Sequence, residues 1–549
     1  MMRRRMWIRP RHRRMRRATH WLRTTAGSLA ALGALAGATA APAVHAQPAQ
    51  KPGLPPGLDV AIGRPVTVGG TVRRDPSDVS SVDDGDASTV WQPGAAKVSV
   101  TVDLQAPQRV SGCGVTWAGA AAGARFSVTV STDGKTWHAL PGLAGQGTPV
   151  AGIIQYADCP QPGVQARYVR LSVWTAKGRI PGIAEFRVFS PSAQAASAMM
   201  LGDDLSTMAQ EEAIGTKYSA DGKTQPLLAI LKAGGTNYVR LRLWVNPPGG
   251  NNNLTQDLKM AREIKTYGMR LFLDIHYSDF WADPGKQNIP AAWRGQSLPA
   301  LAKTVKSYTQ SVMEAFAKQG TPVDMVSIGN EITDGILWPV GQLNLPDGTQ
   351  QWSQLAALLN AGIAGARAGN PKGHPLKVML HIDRGGDNAG AEWFFDNIMQ
   401  AGVKGFDVIG LSYYPWFHGT LAAFRDNIRA LAQRYHKPIV VAETQYPWTT
   451  ANADGTPNQV DATTPLLPGY PATPDGQASF VRDIVSLVAA LPNHLGLGVF
   501  YWEPAWLPGV GWEPGAGTSA DNLTEFDWQG RALPAVDAYQ IGPATRSGS

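Results

Sequence analysis

Cysteine is nearly absent from this 549-residue chain: only Cys113 and Cys159 occur, so at most one intramolecular disulfide can form. No stretch after residue 43 is long and apolar enough to cross a bilayer. Lys, Asp and Glu are missing altogether from residues 1–46, which carry ten Arg. Removing those ten from the 49 basic residues leaves 39 against 42 acidic ones, a net −3. The formal charge of +7 therefore belongs to the N-terminal segment and is no footprint of nucleic acid. Neither a nucleic-acid partner nor a membrane span is expected.

The N-terminal segment reads as a signal peptide. An Arg-rich stretch ends near Arg23, an apolar run covers 26–43, and Val44-His45-Ala46 offers a small-residue cleavage site. Residues 1–46 are thus predicted to be removed and the chain to be secreted or periplasmic. Arg16-Arg17 leaves both the general and the twin-arginine export routes open. In an oxidising compartment an even cysteine pair tends to bridge, so a Cys113–Cys159 disulfide is expected to staple one domain. The 18 Trp are many for this length, and flat ligand surfaces are one use for them, a packed core the other.

The length calls for at least two domains. Residues 47–57 are Pro- and Gly-rich and read as a linker. From 58 to 190, short alternating runs such as Lys97–Leu104, Arg125–Val130 and Tyr168–Val173 stand between turn signals. They predict an all-β sandwich, with Asp133-Gly134-Lys135 turning a hairpin. Residues 191–197 read as a second linker. From 198 to 540 the texture changes to apolar strands separated by helical stretches such as Leu254–Tyr267 and Leu298–Gln319. Eight strands are predicted: Met199–Leu205, Tyr238–Trp244, Arg270–Tyr277, Asp324–Glu331, Lys377–Asp383, Asp407–Tyr414, Pro438–Thr444 and Leu497–Glu503. Eight repeats of this kind predict a (β/α)₈ barrel. An open doubly wound sheet is disfavoured, because the first strand ends in Gly202-Asp203-Asp204-Leu205 with no G-x-G-x-x-G.

Catalytic groups of such barrels collect at the C-terminal strand ends. All eight ends here are polar or aromatic, although buried charge is costly. None carries a Lys, which argues against a Schiff-base aldolase. Glu331 and Glu443 end the fourth and seventh strands, on opposite sides of an eight-stranded barrel. Two inward glutamates there suit a glycosidic bond held between an acid and a second carboxylate. A gap of about 5 Å would give retention and a gap of about 6.5–9.5 Å inversion, and spacing along the chain leaves both open. Arg240 or Arg242 would favour an ionised neighbour, and Asn330 could bond a sugar hydroxyl. A non-catalytic carbohydrate-binding surface protein is the rival of another class, and the two carboxylates count against it.

Seven segments resemble family 53 of the glycoside hydrolases, endo-β-1,4-galactanases acting on arabinogalactan. They are GDDLS at 202–206, VRLRLWVNP at 239–247, DIHYSDFWADP at 274–284, SIGNEITDGILWP at 327–339, GLSYYP at 410–415, AETQYPW at 442–448 and GVFYWEPAW at 498–506. The resemblance implies a retaining enzyme with Glu331 as acid/base and Glu443 as nucleophile. It implies that Arg240, His276 and Asn330 support the site, that Trp502 stacks under the sugar, and that one of Tyr413 and Tyr414 touches the nucleophile. Asp204 joins these as a substrate-binding candidate. No cofactor is implied for the chemistry; the partner is the polysaccharide, and a monomer is expected. Another backbone specificity, mannan or xylan, is the alternative. Asn452, Asp454 and Asn458, at alternating positions after Glu443, resemble loop residues that hold structural calcium in bacterial relatives. Residues 58–190 resemble the discoidin-like, coagulation factor 5/8 type C sandwich through DGDASTVW at 84–91, VTVSTDGKTW at 128–137, RYVRL at 167–171 and IAEFRV at 183–188, and beside a glycanase the resemblance implies a carbohydrate-binding module without naming its sugar-binding residues.

Overall fold

The computed structural model describes residues 54–543 apart from 71–78, 120–122, 141–146, 161, 177 and 514, so the predicted signal peptide lies outside the described residues. Nine strands build the first domain: β1 (Leu58–Asp59), β2 (Val66–Gly69), β3 (Lys97–Val110), β4 (Gly112–Trp117), β5 (Ala124–Ser131), β6 (His138–Ala139), β7 (Ile154–Asp158), β8 (Val164–Thr175) and β9 (Ile183–Ser190). They form a sheet β1-β9-β4-β7 facing a sheet β2-β3-β8-β5-β6. Alternation does the sorting: Val98, Val100 and Val102 of β3 turn inward onto a core with Trp91, Trp117 and Phe126. The expected turn joins β5 to β6, with Asp133 Oδ1 accepting from the Lys135 and Thr136 amides at 2.8 Å.

The expected disulfide is not made. Cys113 and Cys159 are buried free thiols. Cys113 pairs with Ala157, while the Cys159 amide bonds Ser111 O at 2.7 Å, so the two cysteines are diagonal neighbours two positions out of register. Diagonal Cα atoms on paired strands sit about 7–8 Å apart, beyond the usual reach of a disulfide.

The second domain is a closed parallel barrel of β10 (Met200–Asp204), β11 (Tyr238–Leu243), β12 (Arg270–Ile275), β13 (Met325–Ile328), β14 (Lys377–Ile382), β15 (Val408–Tyr413), β16 (Ile439–Thr444) and β17 (Gly496–Tyr501). Met200, Tyr238, Phe272, Met325, Met379, Val408, Val440 and Phe500 plug its interior. Further along the same strands the inward residues become polar, and that change makes the functional end. Between β15 and β16 the register shifts, pairing Leu411 with Val441 but Ser412 with Glu443. The shift sets Glu443 beside Ser412.

Residues 54–57 of the first predicted linker and 191–197 of the second pack against the domains. Ala193–Ala198 form a short helix, α1, whose N-cap Ser192 accepts from Ala195 N at 3.1 Å. Pro55 and Gly57 offer their carbonyls to the Arg482 guanidinium. Arg482 sits on α2 (Pro474–Ala489), the helix between β16 and β17, in which every residue from Gly476 to Val488 is buried. A barrel helix normally shows one face to water. Here the sandwich covers that face. Arg187 of β9 reaches Asp483 (Nη2–Oδ2 2.7 Å) and Tyr470 (2.9 Å), Tyr156 meets Ser479 at 2.5 Å, and Asp59 N bonds Ser486 Oγ at 2.9 Å. At the other end Arg425 donates to Asp84 O (2.6 Å) and Ala422 N to Asp86 Oδ2 (3.2 Å). Ala422 and Arg425 open α3 (Leu421–Tyr435), the helix after β15, so the 84–91 loop lies toward the functional end of the barrel.

Candidate active site

A cleft of ≈ 730 Å³ opens over the C-terminal strand ends, and Arg240, His276, Asn330, Glu331, Tyr414, Glu443 and Trp502 line it. Its organising group is Arg240, buried on β11. Nη2 donates to Glu443 Oε1 (2.6 Å), Asp274 Oδ2 (2.6 Å) and Asn330 Oδ1 (3.0 Å), while Nη1 pairs with Asp204. One cation thus meets three carboxylates, a cluster that burial would otherwise forbid. His276 extends it: Nε2 lies 3.1 Å from Asp274, and Nδ1 accepts from Trp244 Nε1 and Ala282 N, both at 3.3 Å. Burial keeps this imidazole below its ordinary pKa, hence neutral at pH 7, and the two donors at Nδ1 put the ring proton on Nε2.

The two glutamates differ in surroundings. Burial drives both carboxyls upward, but Glu443 is drawn back by Arg240 and by Tyr414, whose hydroxyl donates to Oε2 at 2.8 Å. Glu331 makes no ion pair among the described residues. Burial first, then the charges of Glu443 and Asp383, push it well above the carboxylate range, and only Ser412 opposes them. The proton of the pair therefore resides on Glu331. Glu331 also lies three residues past β13 rather than at its end, in a left-handed conformation with φ +46°, two residues after Gly329 at φ +85°. A left-handed non-glycine residue is strained by about 1–2 kcal/mol, and such strain gathers at functional sites.

Ser412 donates to Glu331 Oε1 at 2.7 Å, and its Oγ lies 2.8 Å from His381 Nε2. Burial holds His381 near pKa 3, so it is neutral. Because the serine proton is committed to Glu331, the imidazole must donate through Nε2–H. A directed chain results, from His381 to Ser412 to Glu331.

Two expected residues fall elsewhere. Tyr413 is fully buried, stacked on Phe424 at 4.4 Å with its hydroxyl on Gly419 O, because strand alternation turns it outward into the helix layer. Tyr414 alone touches Glu443. Asp204 is also fully buried and holds Arg240 from behind instead of facing the cleft. Strand position singled out neither Ser412 nor Trp281 and Trp512, which pack with Trp502 at centroid distances of 6.1 and 5.9 Å along the cleft wall.

Asn452, Asp454 and Asn458 do share one loop. Asn452 Oδ1 accepts from Gly455 N (2.6 Å), Asp454 from Thr456 N and Thr518 N (both 2.7 Å), and Asn458 Oδ1 from Asn452 Nδ2 (3.0 Å). Asp521, from the segment after β17, joins them by accepting from Ala453 N at 2.7 Å, and its other oxygen is buried without a partner. Among the described residues no cluster of three or more His, Cys, Asp or Glu side chains is arranged around a metal position.

Known proteins resemble both parts of the chain. The family profile described as Glycosyl hydrolase family 53 matches residues 200–539, and that of the F5/8 type C domain matches 73–186. A probable arabinogalactan endo-beta-1,4-galactanase A of Neosartorya fischeri is 37% identical over 352 residues, 63% of this chain and 93% of its own. The endo-beta-1,4-galactanase of Bacillus subtilis is 33% identical over 379 residues, 62% of this chain and 85% of its own. The solved catalytic domain of an Ignisphaera aggregans family 53 protein superposes with a TM-score of 0.60 at 37% identity, covering 64% of this chain and 98% of that one.

Proposed function

The chain belongs to glycosyl hydrolase family 53, and on that premise we propose that it is a secreted endo-β-1,4-galactanase. It would open the backbone of type I arabinogalactan with retention of configuration. The observation that carries the glycosidase reading is the asymmetry of the two glutamates, a protonated Glu331 with a Glu443 held by Arg240 and Tyr414, while retention rests on the family to which the chain belongs. Glu443 attacks C1 of the sugar while Glu331 passes its proton to the departing glycosidic oxygen. A water then attacks the glycosyl ester, returning its proton to Glu331 and releasing Glu443. Trp502 gives the sugar a flat apolar face, and the names of the relatives support galactan as substrate. Secretion is supported by the charge and hydropathy pattern of residues 1–46. The test is incubation with purified galactan, mannan and xylan while the first-formed anomer is followed by NMR. Internal cleavage of galactan giving the β-anomer is expected; the α-anomer, or preferred cleavage of mannan or xylan, overturns the reading.

The His381–Ser412 chain supports a particular oxygen of Glu331 as the proton carrier. With Oε1 occupied as an acceptor, the acid proton sits on Oε2. Removing the donor in Ser412→Ala should lower kcat on galactan by roughly 10–100-fold, the span of a hydrogen bond to a charged group. It should also move the alkaline limb of kcat/KM to higher pH, because Ser412 holds the Glu331 pKa down. An aryl β-galactobioside, whose leaving group needs no proton, should be cleaved at nearly the original rate, and Ser412→Thr should restore galactan turnover. Equal losses on both substrates would contradict this role.

The loops after β16 and β17 fit a hard cation such as calcium. Burial and the charge of Asp454 raise the Asp521 carboxyl, and its unpartnered oxygen awaits a donor or a metal. Asp454, Asp521, Asn452 and Asn458 would supply the oxygens and tie the two loops together. Chelation should lower the melting temperature by roughly 5 °C, and elemental analysis should find calcium in the purified protein. An unchanged melting curve with no bound metal removes the site.

A further inference from the structure

The outward face of the five-stranded sheet holds a groove of ≈ 830 Å³ that the barrel chemistry does not use. Its walls carry Lys97 and Ser99 from β3, Arg170 and Ser172 from β8, and Arg179 from the segment before β9. No carboxylate lines it among the described residues. Register explains the shape. Ser99 lies opposite Ser172, and Gly69 of β2 lies opposite Ser99. A Cβ on Gly69 would come within 2.5 Å of Ser99 Oγ, so glycine there keeps the floor open.

Arg170 is held ready in this groove. Its Nε donates to Thr101 Oγ1 at 3.0 Å, and its guanidinium lies 3.5 Å from the centre of the Trp137 ring. Trp137 is itself pinned by a bond from Nε1 to Gly134 O at 3.2 Å. Burial lowers the Arg170 pKa, and among the described residues no acid makes an ion pair with it. Two other arginines of the sandwich do meet acids, Arg167 at Asp103 (2.8 Å) and Arg187 at Asp483 of helix α2, while Arg64, Arg109 and Arg125 donate to an amide, a carbonyl and a hydroxyl oxygen. Lys97 and Arg179 are exposed and make no ion pair among the described residues. Three cations with no acid against them among the described residues stand beside hydroxyls and a glycine floor; a neutral galactan could accept hydrogen bonds from them but would leave their charge unpaired. A chain bearing carboxylates would satisfy them, above all through the free fork of Arg170.

We propose that this groove binds an anionic, uronate-bearing polysaccharide, so that the sandwich grips an acidic glycan while the barrel acts on a neutral one. The inference rests on the groove alone and stands apart from the substrate proposed for the barrel. Its position suits the task. Ile180 N bonds Ala95 O at 3.0 Å and Trp91 bridges to Ile183, tying the groove's end to the 84–91 loop that reaches the functional side of the barrel.

The experiment is affinity electrophoresis and calorimetry of the full mature chain with four probes: polygalacturonate, its fully methyl-esterified form, neutral galactan and polyglutamate. Polygalacturonate should bind, weaken in 0.5 M salt (about a 4 Å screening length), and lose at least tenfold affinity in Lys97→Ser/Arg179→Ser. That double variant changes only exposed side chains and should keep the melting temperature and galactan hydrolysis of the parent. Arg170→Ser should lose as much. The proposal fails if polygalacturonate does not bind or if the double variant binds it equally. It fails too if the esterified chain or polyglutamate binds as well as the acid.

Discussion

Glu443→Ala should lose on the order of 10⁴-fold or more of kcat on galactan, the scale of removing a covalent nucleophile. The fold should survive, because Arg240 keeps Asp204 and Asp274 as partners when Glu443 is gone. What remains is a small hole beside a guanidinium, which invites a small anion. Azide should therefore restore turnover of an activated aryl galactoside and yield an α-galactosyl azide, since the anion attacks from the side Glu443 occupied. Glu331→Ala should differ in kind. It should retain its rate on the activated substrate for the first step, lose it on galactan, and with azide give the β-azide after two displacements. Identical products from the two variants would show that the roles are not divided as proposed. Wild-type turnover by Glu443→Ala would remove the nucleophile altogether.

The second large effect concerns stability. A chain lacking residues 54–191 should fail to give a soluble barrel. Its outer helix α2 would expose side chains along a face that is buried from Gly476 to Val488, and Asp483 would lose Arg187. Calorimetry of the full chain should accordingly find one cooperative transition, and separate sandwich and barrel transitions would contradict it. A single substitution tests the same contact. Arg187→Ala strands Asp483 against Tyr470 and should cost about 3–5 kcal/mol, the scale of breaking one side of a buried pair. Arg187→Met/Asp483→Leu removes both charges and should recover most of that loss. A soluble, fully stable isolated barrel is the outcome that refutes this account.

Much of this architecture was readable from residue pattern. All eight barrel strands were found within a few residues, because a strand buried on both faces leaves a dense apolar run such as Ile439–Ala442. The two glutamates followed from their places after such runs. What pattern could not supply was register. Tyr413 and Tyr414 are adjacent and chemically alike, and only strand alternation decides which one meets Glu443. Asp204 stands beside the cleft in sequence yet behind Arg240 in space. Cys113 and Cys159 looked pairable until the β4–β7 ladder set them two positions out of step. Ser412 was invisible because a serine inside an apolar strand reads as a tolerated small residue; its meaning appears only with His381 and Glu331 on either side. Helix α2 keeps polar residues where the sandwich supplies partners for them, so its residue pattern carries no sign that another domain covers it.

The docked segment at Pro55 and Gly57 and the capped turn of helix at Ala193–Ala198 bear on how the enzyme meets a solid or branched substrate. A binding module on a slack tether searches a volume and helps any site within its reach. A module seated on the barrel searches nothing. Its local concentration at a second attachment point is high for one separation and direction and falls toward zero for others. Such an enzyme behaves as a gauge: it should discriminate among substrates by the distance between the feature it holds and the bond it cuts, and inserting a flexible spacer at residue 192 would trade that selectivity for reach.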